Sequence, residues 1–182
     1  MAYREPFERV LAAAQADAPW AYERLYRSLS PSVCGYLRIQ GAADPEDLTS
    51  EVFLGAFRAI GAFAGNEAQF RSWVFTIAHR RLTDERRARG CRPQLADATL
   101  PDAAGGDVEE EALRRLSADR VRILCAALAP DQADVLLLRL VSAMTVEAVA
   151  EVLGKTPGAV KALQRRGLCA LRKQLEHEGV PL

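Results

Sequence analysis

Apolar side chains recur along this chain with a period near 3.6. Nowhere does an apolar–polar alternation of period two run long enough to make a strand. Tyr22, Leu25, Tyr26 and Leu29 line one helical face, and Val33, Tyr36 and Leu37 continue it. Ser30-Pro31 between them predicts a break, with Ser30 capping a new helix and Pro31 in its first position. Asp44-Pro45-Glu46-Asp47 predicts a helix start: a capping Asp, a first-turn Pro and acids at the positive end of the dipole. The apolar stripe Leu48, Val52, Phe53, Ala56, Phe57 and Ile60 follows. Gly61 and Gly65 bracket a loop, after which Phe70, Trp73, Val74, Ile77, Ala78 and Leu82 mark another helix. The expected fold class is all-α.

From Gly90 to about Gly106 the periodicity stops, and Pro93, Pro101 and Gly105-Gly106 enter an acidic stretch poor in large apolar residues, which reads as a flexible linker. Helical spacing resumes at Leu113, Leu116, Val121, Leu124 and Leu128. After Pro130, the run Val135 to Leu138 is apolar on nearly every side and should be buried. The expected organisation is a helical domain over 1–90, an acidic linker over 91–112 and a second helical domain over 113–182. Each domain is near the lower size limit for an independent core.

With 24 basic and 24 acidic side chains among 182 residues, the formal net charge is zero, yet the charges are sorted. Residues 41–58 carry Asp44, Glu46, Asp47 and Glu51 against Arg58 alone. Residues 71–92 carry seven arginines against Asp84 and Glu85, and 93–119 carry seven acids against Arg114 and Arg115. Residues 155–173 hold six cations and no acid. The start of the chain has no apolar core of a signal peptide, and Val135 to Val141 is too short to span a bilayer. Cys34, Cys91, Cys125 and Cys169 are far apart, and His79 and His177 are the only histidines, so no metal-ligand spacing exists. Reduced, passive thiols in a cytoplasmic protein are expected, with no cofactor or metal. No glycine-rich phosphate loop or nucleophile–base pair suggests an enzyme.

Thr145 to Lys173 is the strongest local signal. Thr145 caps a short helix bearing Val146, Val149, Ala150 and Leu153; Gly154 permits a tight turn; Thr156-Pro157 opens a second helix. Val160, Leu163, Gly167, Leu171 and Leu175 form its inner face, leaving Lys161, Gln164, Arg165 and Arg172 outside. This is the pattern of a helix-turn-helix, whose second helix fits the DNA major groove. A solvated helical hairpin is the bland alternative. Phe63 to Asn66 and the helix from Phe70 place aromatics near arginines, which suits unstacked bases but equally suits a core. The acidic helix from Asp44 to Ile60 could dock a basic partner or simply face water.

Taken in order, DPEDLTSEVFLGAFRAIGAF, QFRSWVFTIAHRRLTDERRAR and the stretch from LAPDQADVLLLRL to ALRKQL resemble the extracytoplasmic-function class of bacterial RNA polymerase sigma factors, over about residues 18–176. The resemblance implies a promoter-specificity subunit without catalytic activity, partnered by promoter DNA and by core RNA polymerase, at the clamp of the largest subunit and the flap of the second-largest. An anti-sigma factor is a further partner it allows; a membrane is not. Asp47, Leu48, Ser50, Glu51 and Phe53 match the polymerase-docking positions. Phe63, Asn66, Phe70, Arg71, Trp73, Thr76, Arg80 and Arg81 match the segment that melts DNA and captures a flipped minus-ten base. Thr156, Lys161, Gln164 and Arg165 match the minus-thirty-five reader. Ser50 stands where the family usually has Gln, Arg80 where many relatives have Asn, and Leu163 where Arg is frequent. In the family the linker threads toward the channel that holds RNA, so the acids Asp102, Asp107, Glu109, Glu110 and Glu111 would either mimic RNA there or belong to a plain spacer. The other reading is a helix-turn-helix regulator with an N-terminal dimerisation or sensing domain.

Overall fold

A computed structural model describes residues 6–90, 121, 123–125, 128–140 and 142–177. Among these residues every regular element is helical. The linker expected over 91–112, Cys91, Leu113 and Leu116 lie outside the described residues.

The N-terminal unit comprises α1 (Phe7–Gln15), α2 (Pro19–Ile39), α3 (Pro45–Ala59), a 3-10 turn (Ile60–Ala62) and α4 (Glu67–Ala88). Asp44 caps α3 as expected, its carboxylate accepting from the Asp47 N–H at 2.8 Å, with Pro45 in the first turn. Asn66 and Gln69 form a reciprocal capping box on α4, both bonds at 2.9 Å. Helix α2 packs on α1, α3 and α4, and α3 packs on α4. Tyr36, Phe53, Phe70 and Phe75 are the largest side chains of the buried interior. Tyr36 meets Phe75 edge to face at 5.6 Å.

Pro31 does not break the chain. Helix α2 runs unbroken from Pro19 to Ile39 with Pro31 inside it. The missing N–H leaves the Arg27 carbonyl without its helical donor, and both Arg27 and Pro31 are exposed, so water can satisfy that carbonyl. Leu25, Leu29, Val33 and Leu37 are buried on the opposite side and hold the two halves in one line. Burial of that continuous stripe outweighs the local defect.

The C-terminal unit comprises α5 (Pro130–Leu140), α6 (Val146–Leu153) and α7 (Pro157–His177), each touching the other two. Val135 to Leu138 are all buried, as the apolar run requires. Helix α6 is capped by Thr145 at 3.1 Å and closed by Gly154 at φ 62°, a conformation that a side chain would strain. Thr156 accepts from the Ala159 N–H at 3.2 Å and caps α7. Gly167 lets α7 approach α5: a Cβ there would lie 2.8 Å from Leu136 Cδ1. Lys155 in the turn is tied to Asp131 of α5 at 2.8 Å.

The two units also touch each other, which nothing in the sequence pattern foretold. Helix α6 packs on α4, and Gln40 at the end of α2 hydrogen-bonds Asp134 of α5.

Restoring a donor at position 31 should help a helix that is already continuous. Pro31→Ala is expected to stabilise the chain by about 1 kcal/mol, raising Tm by about 2–4 °C. A lowered Tm in a calorimetric scan would mean that α2 needs a break there.

Candidate nucleic-acid and protein-docking surfaces

The outer face of α3 is acidic at its start and apolar further along. Asp47, Ser50 and Glu51 are exposed, and so is Leu54, at 52%. Ser50 donates to the Glu46 carbonyl, and Glu46 itself is paired with Arg38. Leu48 and Phe53, expected on the docking surface, are instead 8% and 2% exposed. Their period places them on the stripe facing α2 and α4, where Tyr26 packs edge-on to Phe53 at 4.8 Å. They belong to the inner stripe of α3 and not to its outer face. Leu54, absent from the sequence-predicted docking residues, is an exposed apolar side chain on the same face as these acids. Its register, four residues after Ser50, carried the signal.

The second surface joins the loop of residues 63–66 to α4. Phe63 stacks on Trp73 at 5.0 Å and meets Phe70 edge-on at 5.4 Å, while Phe7 closes on Phe70 at 5.6 Å. Phe70 is 1% exposed and therefore core, which corrects its expected place among the DNA-facing groups. Phe63 and Trp73 are half-buried. Gln15 of α1 donates to the carbonyls of Ile60 and Phe63, at 3.1 and 2.8 Å, and so pins the loop from behind. The spacing Phe7, Val10, Leu11, Ala14 is helical and would have revealed α1, which the sequence reading passed over. Asn66 has its carbonyl oxygen engaged as a cap, and the Thr76 hydroxyl bonds the Ser72 carbonyl. Arg71 is half-buried and Arg80 exposed, and neither pairs with a carboxylate among the described residues. Arg81 lies over Gly55 of α3 and reaches Glu51 at 3.4 Å. The expected docking and DNA-facing residues are thus neighbours across the α3–α4 groove, joined by a solvent-exposed pair worth well under 1 kcal/mol.

The third surface is α7. Lys161 and Arg165 are exposed, Gln164 is half-buried beside them, and Thr156 is exposed at the helix start. Val160 is buried, and Leu163 packs against the core, as its stripe position requires. The cations continue through Arg166, Arg172 and Lys173, with Arg172 balanced by Glu176 at 2.9 Å. An exposed helix with Thr-capped start, long cations and an amide side chain suits a phosphate-lined groove. Cys169 lies exposed among these cations, whereas Cys34 is half-buried and Cys125 buried; all three are free thiols. Burial pushes the Cys34 and Cys125 thiols above their ordinary range. Among the described residues there is no cluster of potential metal ligands, and no helix is long and apolar enough to cross a membrane.

Residues 25–91 match the sigma-70 region 2 family and residues 125–173 match sigma-70, region 4. The chain is 34% identical over 166 residues to the ECF RNA polymerase sigma factor BldN of Streptomyces coelicolor, covering 89% of this chain and 63% of that protein. It is 31% identical over 136 residues to the ECF RNA polymerase sigma factor ShbA of Streptomyces griseus, covering 72% and 71%. It is 27% identical over 183 residues to the ECF RNA polymerase sigma factor SigD of Mycobacterium tuberculosis, covering 96% and 86%. In fold it resembles CnrH, solved with the cytosolic domain of CnrY, at a TM-score of 0.68 and 21% identity over 92% of this chain and 96% of that one.

Gly65 is where the aromatic loop is most tightly fitted: a Cβ there would lie 2.9 Å from Gln69 Oε1 and 3.0 Å from Phe63 Cζ. Gly65→Val should displace Phe63 from Trp73 and break the capping box, destabilising the unit by about 1 kcal/mol. In a Trp20→Phe background, Trp73 emission should shift to longer wavelength; unchanged emission would show that Gly65 does not hold the stack.

Proposed function

The chain belongs to the extracytoplasmic-function class of RNA polymerase sigma factors, and from that premise we propose how its three surfaces divide the work. Asp47, Glu51 and Leu54 on α3 dock the chain on core polymerase. Phe63 and Trp73, with Arg71, Arg80 and Arg81, hold the melted minus-ten strand. Lys161, Gln164 and Arg165 on α7 read the minus-thirty-five element from the major groove, with Thr156 at the phosphates.

The observation that supports this reading best is the segregation of charge onto separate helix faces. An acidic face with an apolar anchor lies on α3, and basic faces lie on α4 and α7. Melting a base pair costs a few kcal/mol, which a stacking site and backbone cations offset. The half-buried Phe63–Trp73 pair, with its loop tied to α1 by Gln15, supports that role. The polymerase supplies all the chemistry, so the chain needs no catalytic group and acts where the polymerase is, in the cytoplasm. A formal charge of zero means that little phosphate neutralisation is left over for nonspecific binding. Promoter affinity then arises when polymerase presents both reading faces at a fixed spacing, so that two weak contacts act as one strong contact. A regulator with an unrelated sensing domain would not carry the region 2 match over residues 25–91.

Co-purification with core polymerase and run-off transcription that depends on the added chain test the whole reading. Lys161→Glu with Arg165→Glu should remove two phosphate-neutralising cations, lower the salt slope of holoenzyme binding by about two, and abolish minus-thirty-five-dependent transcripts while sparing polymerase binding. Asp47→Arg with Glu51→Arg, or Leu54→Asp alone, should release the chain from polymerase. Loss of the same activity in both sets would refute the division of labour.

A further inference from the structure

Helix α4 and its C-cap carry six arginines, and their surroundings differ. Arg81 reaches Glu51 at 3.4 Å and Arg86 donates to Gln40 Oε1 at 3.0 Å. Arg87 pairs with Asp84 at 3.6 Å, and Arg89 with Glu85 at 2.7 Å. Among the described residues, Arg71 and Arg80 are left without a hydrogen-bond or ion-pair partner. Asp84 stands one turn after Arg80, close enough to neutralise it, yet is engaged by Arg87 instead.

Helix geometry separates these two arginines. Arg71 precedes Trp73 by two residues, about 200° around the axis, and so lies on the far side of α4 from that ring. Arg80 follows Trp73 by seven residues, two turns less about 20°, which places it on the same side and about 10 Å along the axis. Helical side chains lean toward the N-terminus, so the long, exposed Arg80 chain leans back toward Trp73. In the interval stand Thr76, whose hydroxyl donates to the Ser72 carbonyl at 2.8 Å, and Ile77, packed against the core. Neither has a proton left to donate there.

An arginine on a phosphate adds affinity without sequence information, whereas an arginine on a base edge chooses the base. Arg80 is placed for the second task. A base stacked on Trp73 turns its plane to the ring and one edge along α4 toward the guanidinium. The guanidinium fork presents two parallel donors in one plane. Guanine meets them with two adjacent acceptors, O6 and N7, while adenine sets a donor beside N7 and thymine a methyl beside O4. Cytosine has its paired acceptors, O2 and N3, on a smaller ring that leaves more of the interval empty.

Resting on the sigma-factor reading above, we infer that Arg80 sets the base preference of the minus-ten strand by selecting a guanine, stacked on Trp73, through its O6 and N7. Arg71 and Arg81 then add affinity, and Arg80 adds the choice of base.

Holoenzyme reconstituted from the full chain and core polymerase tests this on pooled fragments of the source genome, with transcript starts located by sequencing. The strongest promoter is then remade with every base at each minus-ten position. The wild type should favour guanine about tenfold at one position, and a deazaguanine lacking N7 should lose most of that advantage. Arg80→Ala should flatten the preference there to less than about twofold and leave the preferences at other positions as they were. Arg80→Gln should move the preference to adenine, whose N6 and N7 match an amide, an outcome that misfolding could not produce. Arg81→Ala should weaken transcription whichever base is present. Equal losses for all bases in Arg80→Ala, as a phosphate contact would give, would overturn the inference. So would a cytosine preference that depends on Arg80, or a guanine preference indifferent to it. Absence of any wild-type transcript would refute the sigma-factor reading and this inference with it; transcripts whose base preferences ignore Arg80 would refute the inference alone.

Discussion

Tyr36 joins the two levels of this structure. Its ring lies fully buried against Phe75, locking α2 onto α4, and its hydroxyl leaves that core to meet His79 at the boundary between the units. A buried phenol needs a partner for its O–H, and His79 is that partner. The positions of α3, the aromatic loop and α6 all follow from how firmly α2 and α4 are held together. Aromatic contacts spread outward from there: Phe53 to Tyr26 and Phe57 on one side, Phe70 to Phe7, Phe63 and Trp73 on the other. The interior is thus rigid, and the functional groups are mounted on its outside.

That mounting explains how a neutral chain can serve partners of opposite charge. An amphipathic helix has one buried stripe and leaves the rest of its surface free, so α3 can be acidic and α4 and α7 basic without burying an unpaired charge. The faces are neighbours where Arg81 reaches Glu51, yet that pair is exposed and weak enough to yield to a partner. The two units differ in how they hold the surfaces proposed to read DNA. The loop before α4 is braced by side-chain bonds from Gln15 and by the capping box, whereas α7 is set by the turn at Gly154 and the close approach at Gly167.

The helices that were legible from sequence were those with both a periodic stripe and a terminal signal. Asp44-Pro45, Thr145, Gly154 and Thr156 all act as their chemistry requires. Pro31 misled because a local signal for a break was weighed without the stripe that continues through it. Helix α1 was overlooked although its spacing was helical, for want of a capping residue: Pro6 precedes it and no side chain caps it. Among the site residues, Leu48, Phe53 and Phe70 share a segment with functional groups but face inward. Matching positions to a family says which segment is used; it takes the three-dimensional packing to say which side chains of that segment meet a partner.

The linear sequence by itself determined the all-helical class, the helix-turn-helix and the sorting of charge, because periodicity, caps and charge runs are local properties, and its motif blocks carried the resemblance to the sigma factors. Only the tertiary structure decided which aromatics are stacked, that Leu54 stands in water, and that Gln40 meets Asp134 across 94 residues. Those outcomes depend on how helices distant in sequence come to share a boundary. No local propensity encodes that; it follows from the competition of whole apolar faces for burial.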